Sequence, residues 1–385
     1  MDFTYDDEQV ALRQAVAGLL RRRYGDFEER RRVVAQDPGH DPAIWQQLAE
    51  MGALGLPFAE EDGGFGAGPV EVGIVAAEIG RVLAPEPYLA SVVLAGGVVA
   101  GVGTPDQRAE LLGPLAEGSR RIALAHAEPG RRWADDAAEV KASFDGQTWT
   151  LSGTKEPVPA GDAETLLVTA ALPEGGTGVF IVDGDATTRS TSRAYDGTRV
   201  SRVVCDATPA TPLGEAGRDA TAALSQAVDL ARIAACHQAL GAMEAALEAT
   251  TGYLRSRKQF GVTLNHFQAL NFRAADMYVS LELTRSIVEW ATMVAATGDA
   301  ARTHEAVARA AVQVSRAGRH IGQDAIQLHG GIAMTAEYLV GNLTAHLTAL
   351  DHLFGDGQHH LTGLMATLQD HEALDPLAAA PQDVA

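Results

Sequence analysis

Residues 257–276 read RKQFGVTLNHFQALNFRAAD, and residues 327–338 read QLHGGIAMTAEY. Each follows a long helical pattern. Residues 219–256 contain no proline and only Gly241 and Gly252, and Leu224, Val228, Ala235, Leu240, Met243 and Leu247 form an apolar seam at helical spacing. Three more helices are expected near 264–297, 302–328 and 338–353, and helices of that length pack as a bundle. An RxxFG turn therefore follows one long helix and a QxxGG turn ends another. Arg257 offers a planar fork that donates two hydrogen bonds at once, and Gly330-Gly331 lets main-chain N–H groups approach a ligand closely. Either an arginine or a glycine pair at such a place can also simply end a helix.

Working outward from the bundle, residues 119–215 change character. The runs ALAHAE, EVKASF, TWTLSG, TLLVTA, GVFIVDG and TRVSRVVCD are short and rich in β-branched residues, cut by Asp145-Gly146, Gly175-Gly176 and Asp183-Gly184. With no helical run between these strands, an antiparallel barrel or sandwich is expected, and a doubly wound nucleotide-binding sheet is disfavoured. Residues 1–118 are helical. Thr4 and Asp7 have capping-box-like spacing before Leu12, Val16, Leu19 and Leu20, while Asp41-Pro42 and Thr104-Pro105 place a cap and a first-turn proline before two further apolar runs. The glycines of EEDGGFGAG, 60–68, allow a tight loop between helices. The fold class is thus α+β: an all-α region 1–118, an antiparallel β region 119–215, a four-helix-type bundle 216–370, and a tail, 371–385, of disordered composition.

Acidic residues outnumber basic ones by 50 to 30 in 385, which repels phosphate backbones and argues against a nucleic-acid partner. The longest apolar stretch, Tyr88–Gly103, carries four glycines after Ala95 and is too short to span a bilayer, so it reads as a buried helix and its end. The acidic start MDFTYDDEQV lacks the apolar core of a leader peptide, and Cys205 and Cys236, in a strand-like and a helix-like segment, show no paired or metal-binding spacing. A cytoplasmic protein with reduced thiols is expected. His352 and His359-His360 lack a carboxylate at helical spacing apart from Asp356, so no metal is assigned. Arg21-Arg22-Arg23 and Glu28–Arg32 read as a solvated, mixed-charge face.

The order of these regions, the RxxFG and QxxGG stretches, LGLPFAEEDGGFG at 54–66, AEPG at 127–130 and SGTK at 152–155 together resemble the acyl-CoA dehydrogenases over nearly the whole chain. Within that family the chain looks most similar to the small subunit of pimeloyl-CoA dehydrogenases and to the acyl-CoA dehydrogenase-like subunits of actinobacterial heterotetramers. The resemblance implies α,β-desaturation of an acyl-CoA thioester, with a carboxylate taking the α proton and a hydride passing to FAD, and with an electron-transfer flavoprotein as the electron acceptor. It also implies a tetramer in which each FAD is held by two subunits. On the bundle side the matching residues are Arg257, Phe260, Gln268, Gln327, Gly330 and Gly331. The β-region half departs from the pattern: Gly130-Arg131-Arg132 replaces a Gly-Ser-Asp, and Pro157-Val158-Pro159 replaces an aromatic-Ile-Thr, removing N–H donors. Asn342–His346 replaces a stretch that is usually basic.

Proton abstraction beside a thioester needs a base aimed at the α proton. The three positions at which the family's members carry a carboxylate are here Phe354, Ala231 and Gln238, the last within His237-Gln238-Ala239-Leu240-Gly241. None of them can take a proton. Asp356 is the nearest acid to the first position, and Glu337 is a further candidate. Three readings stay open: a heteromeric subunit whose base lies on a second acyl-CoA dehydrogenase-like chain, a self-sufficient homotetramer using an unrecognised base such as Asp356, and a catalytically silent structural subunit.

Overall fold

The computed structural model describes residues 4–368, so the segment 371–385 lies outside the described residues. Helix α1, Asp7–Tyr24, starts at a capping box formed by Asp6 and Gln9, two residues beyond the Thr4/Asp7 pair that the sequence suggested. After α2, Phe27–Ala35, helix α3, Pro42–Glu50, begins with Asp41 as cap and Pro42 in the first turn. Then come α4, Pro69–Val82, a π-helical stretch Tyr88–Gly96, α5, Gly97–Val102, and α6, Pro105–Ala116, capped by Thr104 and Gln107. The apolar run 88–103 is thus helical and mostly buried, as its composition suggested.

The charged face of α2 is not wholly solvated. Arg31 and Arg32 pair with Glu28 and Glu29 on the surface, but Arg30 is buried and donates to the carbonyls of Leu83, just after α4, and Asp196, in the β region, both at 2.6 Å. A guanidinium that bonds two carbonyls of separate chain segments satisfies its donors without an ion pair, a use that local sequence does not reveal.

The β region has seven strands: β1, Ile122–Ala125; β2, Lys141–Phe144; β3, Trp149–Pro159; β4, Thr165–Ala171; β5, Thr177–Asp183; β6, Thr188–Arg193; and β7, Arg199–Pro212. Pairings β4–β2–β3–β7–β5 return to β4 and close a barrel, with β1 added along β4 and β6 along β7. Most pairs are antiparallel, but β1 runs parallel to β4, and β2 meets the same strand, also parallel, at Lys141–Ala171. The β2–β3 hairpin intervenes in the chain between β1 and β4 and lets it return in the same direction, without the helical crossover that parallel pairs usually need. Strand β6, TRSTSR, escaped the sequence reading because it is an exposed polar edge strand with no apolar alternation.

The AEPG and SGTK stretches meet inside this barrel. Lys155, 0% exposed, donates to Glu128 Oε1 at 2.8 Å, Thr169 Oγ1 at 2.9 Å and the His126 carbonyl at 2.9 Å. Burial draws the Lys155 ammonium down to about 8 despite Glu128. Burial opposes the Glu128 charge as well, yet Lys155 and the N–H groups of Val140, Glu139 and Ala138 outweigh it and hold the carboxyl far below its ordinary range. Every donor and acceptor is matched, so this pair braces the barrel rather than leaving a reactive group free.

The bundle comprises α7, Thr221–Ser256; α8, Gln268–Ala295; α9, Ala300–His329; and α10, Leu339–Leu353, with a further helix α11, Gly357–Ala366, that the sequence reading missed. Between α7 and α8 a small hairpin, Lys258–Gln259 with Val262–Thr263, turns at Phe260-Gly261, both at positive φ. Cys205 and Cys236 are free and buried, in β7 and α7.

Helices α4 and α7 join the first region to the bundle, and they touch backbone to backbone. A methyl group at Gly80 would overlap the Gln238 carbonyl, and one at Gly241 would overlap the Ala77 carbonyl. Gly241→Ala is therefore expected to destabilise the protein by about 1–3 kcal/mol or more through overpacking. Gly252→Ala in the same helix, where a methyl group meets nothing within 4 Å, should be neutral or stabilising by up to about 1 kcal/mol. Urea unfolding of the two variants checks the contrast, and equal effects would refute the close-crossing account.

Candidate functional site

All three regions contribute walls to one cavity of about 360 Å³, a size suited to a small organic ligand or acyl group. The loop after α2 supplies His40, the segment after α4 supplies Pro85, Glu86 and Leu89, the barrel supplies Pro157, Pro159 and Asp196, and the bundle supplies Gln238, His346, Leu350 and Phe354. The walls are mainly apolar, so each polar group in them has an outsized effect.

Two of the three expected base positions, Gln238 and Phe354, lie in these walls. Phe354 follows α10, and its carbonyl accepts from Arg232 Nη2 at 2.7 Å and Nε at 3.1 Å, which fixes the loop leading to α11. Gln238 is 7% exposed, and its amide lies 3.1 Å from His346 Nε2. His346 Nδ1 in turn lies 2.9 Å from Asp196 Oδ2. With Nδ1 protonated and donating to Asp196, Nε2 accepts from the Gln238 amide, so the three residues form one chain from the barrel to the bundle. Burial works against the Asp196 charge, but bonds from His346 and Thr198 hold its carboxyl at about 2. Gln238 is thus a fixed, non-ionising side chain.

Ala231 is buried in the apolar core instead of lining the cavity. Asp356 caps α11, accepting the His359 N–H at 2.8 Å, and also lies outside the cavity lining. Glu337 is exposed, 3.8 Å from Arg31. His352 and His359 pack against Trp133, whose Nε1 donates to the His352 carbonyl at 3.1 Å. This contact folds the Gly130–Arg132 loop back onto the chain after α10, and Arg131 is engaged by Glu128 and Asp136.

The six residues matched to a cofactor lie elsewhere, at one end of the bundle. The Tyr253 ring, near the end of α7, packs 4.5 Å from that of His329, the last residue of α9, bringing Arg257 and Gly330-Gly331 to the same end. Arg257, Phe260, Gln268, Gln327, Gly330 and Gly331 are all exposed, Phe260 at 92%. Arg257 has no carboxylate partner among the described residues, and a methyl group at Gly330 or Gly331 would meet nothing within 4 Å. An unpaired guanidinium beside open glycine backbone fits a dinucleotide diphosphate approaching from outside this chain.

Sequence reasoning missed Glu86. It is 5% exposed, lines the cavity, and its Oε1 accepts from the Tyr24 hydroxyl and, at 3.3 Å, from the Asp41 N–H. Its Oε2 has no hydrogen-bond partner among the described residues. Burial pushes its carboxyl up to about 7, beyond what the Tyr24 bond can offset. The only sequence signal was an acid inside APEPY, 84–88, amid apolar residues. Because the folded state binds this proton more tightly than the unfolded state, the stability it confers is full below about pH 4.5 and is lost as pH rises through about 7. Relative to Glu86→Gln, the unmodified chain should therefore lose of the order of 3 kcal/mol between about pH 4.5 and pH 8. Urea unfolding at the two pH values checks this, and parallel pH dependences would contradict it.

The acyl-CoA dehydrogenase N-terminal domain matches residues 6–119, and the acyl-CoA dehydrogenase C-terminal domain matches residues 220–368. The chain is 32% identical to acyl-CoA dehydrogenase IpdE2 of Mycobacterium tuberculosis over 339 residues, 87% of this chain and 89% of that one. It is 30% identical over 343 residues to the mitochondrial short-chain specific acyl-CoA dehydrogenase of Bos taurus, covering 83% and 82% of the two chains. Among solved structures, the ChsE4-ChsE5 complex from Mycobacterium tuberculosis is similar with a TM-score of 0.86 and 26% identity, over 97% of this chain and 100% of that one. A cavity walled by helices and a barrel, a diphosphate-suited bundle end and these matches over nearly the whole length lead to one conclusion: the chain belongs to the acyl-CoA dehydrogenase family of oxidoreductases.

Proposed function

We propose that this chain is one subunit of a heteromeric, FAD-dependent acyl-CoA dehydrogenase, and that it lends Arg257, Gln268, Gln327, Gly330 and Gly331 to a flavin whose ring and catalytic base belong to a second, related chain. The observation that carries the reading is the contrast between the two places. The bundle end keeps an open, unpaired cationic and glycine surface, while the cavity has Gln238 and Phe354 where a carboxylate is needed. Pro157 and Pro159, in the cavity wall, offer no N–H to a flavin edge.

Two further features support a partner. Phe272, Val279 and Leu283 fall on one face of α8 and are exposed, next to the end that carries Gln268. A contiguous apolar helix face of this kind marks a protein contact. ChsE4-ChsE5, similar in fold, is itself a complex. Bound FAD would supply the hydride acceptor, while this chain's Arg257 and glycine N–H groups would bind and orient its diphosphate. An electron-transfer flavoprotein would then reoxidise it.

Co-purified with its partner, Arg257→Ala is expected to weaken FAD retention by about 10- to 100-fold, with Arg257→Lys intermediate because a lysine cannot form the two-pronged contact. Flavin absorbance per assembled complex, with assembly verified by mass, reads this out. Unchanged flavin content in the alanine variant would remove Arg257 from the site and the reading with it.

A further inference from the structure

Flavin sharing leaves His329 unexplained. It is buried, whereas Gln327, Gly330 and Gly331 around it are exposed. Its Nδ1 lies 2.8 Å from the Ala325 carbonyl, one helical turn back, and so holds the ring proton, while Nε2 is buried without a partner among the described residues. Burial draws the ring below its ordinary range despite the Ala325 bond, so it is neutral near pH 7. The ring's main contacts are with other rings. Its centroid lies 4.5 Å from that of Tyr253 at an interplanar angle of 31°, and 5.3 Å from that of Tyr338 at 59°, separations at which aromatic pairs attract.

Each contact leads to a part of the diphosphate-suited surface. The Tyr253 carbonyl accepts the Arg257 N–H at 2.8 Å, so the arginine hangs from the residue whose ring meets His329. In the other direction the chain passes from His329 straight into Gly330, whose φ of 70° and ψ of −148° are open to glycine and to few other residues. A methyl group at Gly330 or Gly331 would meet nothing within 4 Å, so the course of these glycines depends on the residue that anchors them. Tyr338, at the start of α10, holds the far end of the loop that follows.

We infer that His329 is a positioning residue for the flavin diphosphate: its ring, held between Tyr253 and Tyr338, fixes Arg257 relative to Gly330-Gly331, so that this chain's half of the site is set before flavin and partner arrive. The inference rests on the reading that these residues hold a shared FAD. A site whose parts are already held by packing binds more tightly, because less freedom is lost on binding. The flat face of the ring carries the effect, and its nitrogens do not.

The test measures FAD affinity of the complex co-purified with the partner chain, with assembly verified by mass. His329→Leu, which keeps an apolar side chain without a flat face, is expected to weaken FAD retention about three- to tenfold, whereas His329→Phe, which restores the stack, should stay within about twofold. Tyr253→Leu, at a half-buried position, should match His329→Leu, and the double variant should be no worse than either, because both remove one contact. In the flavin-free chain, amide hydrogen exchange over residues 329–334 should quicken in the two leucine variants and not in His329→Phe. Full retention in both leucine variants, an equal loss in His329→Phe, additive losses in the double variant, or unchanged exchange would each overturn the inference. Arg257→Ala separates the two ideas: if it loses flavin while the leucine variants keep it, only the role of His329 fails, and if it keeps flavin, the shared-flavin reading fails and takes this inference with it.

Discussion

The close crossing of α4 and α7 is the constraint on which the rest of the structure depends. Gly80 and Gly241 let the two helices meet at the level of their backbones, leaving no room for side chains between them. The crossing sets Gln238, three residues before Gly241, in one wall of the cavity, and carries Ala84 to Glu86, just after α4, into another. Arg30 then ties the Leu83 carbonyl to the Asp196 carbonyl of the barrel, and Asp196 holds His346 and through it Gln238. One hydrogen-bonded circuit therefore links all three regions around the cavity. A wider crossing would part its members.

The apolar seams and caps were legible because they are local. Pro42 and Pro105 start helices where the sequence places them, and the uninterrupted pattern from 219 to 256 is one helix of 36 residues. Tertiary partners decided what remained hidden. Arg30 reads as one of several surface arginines until its two carbonyl acceptors, 53 and 166 residues away in the chain, are known. Polar β6 has no apolar pattern to betray it, and β1 runs parallel to β4 only because a hairpin separates them. For the proposed cofactor end, motif spacing singled out Arg257 and the QxxGG turn, because a forked cation and open glycine backbone are local features. It could not find Glu86, whose character comes from burial by residues far away in the chain.

In functional terms the molecule divides its equipment. At the end of the bundle it presents an arginine, two glutamines and open glycines to solvent, the residues proposed to hold a shared cofactor. Inside, it keeps a formed, mostly apolar cavity whose polar groups are fixed: Gln238 by His346, Asp196 by His346 and Thr198, and Glu86 on one oxygen by Tyr24. A proton acceptor for carbon acids must be ionisable near neutral pH and free to reach the substrate. Gln238 fails the first condition, Asp356, committed to capping α11, fails the second, and Glu86, ionisable near neutral pH, fails the second too, because its Oε2, unpartnered among the described residues, is fully buried. That is what supports the proposal that the base belongs to a related chain, with the exposed face of α8 as its proposed seat.

The central claim is that this chain contributes half of a flavin site belonging to another subunit. Its most direct test is the FAD stoichiometry of the complex purified after co-expression with a second acyl-CoA dehydrogenase-like chain, from flavin absorbance and native mass. One FAD for every two chains, with this chain alone purifying without flavin, is the predicted result. One FAD per chain, or flavin retained by this chain in isolation, would contradict it and return the search for a base to this chain's own acids.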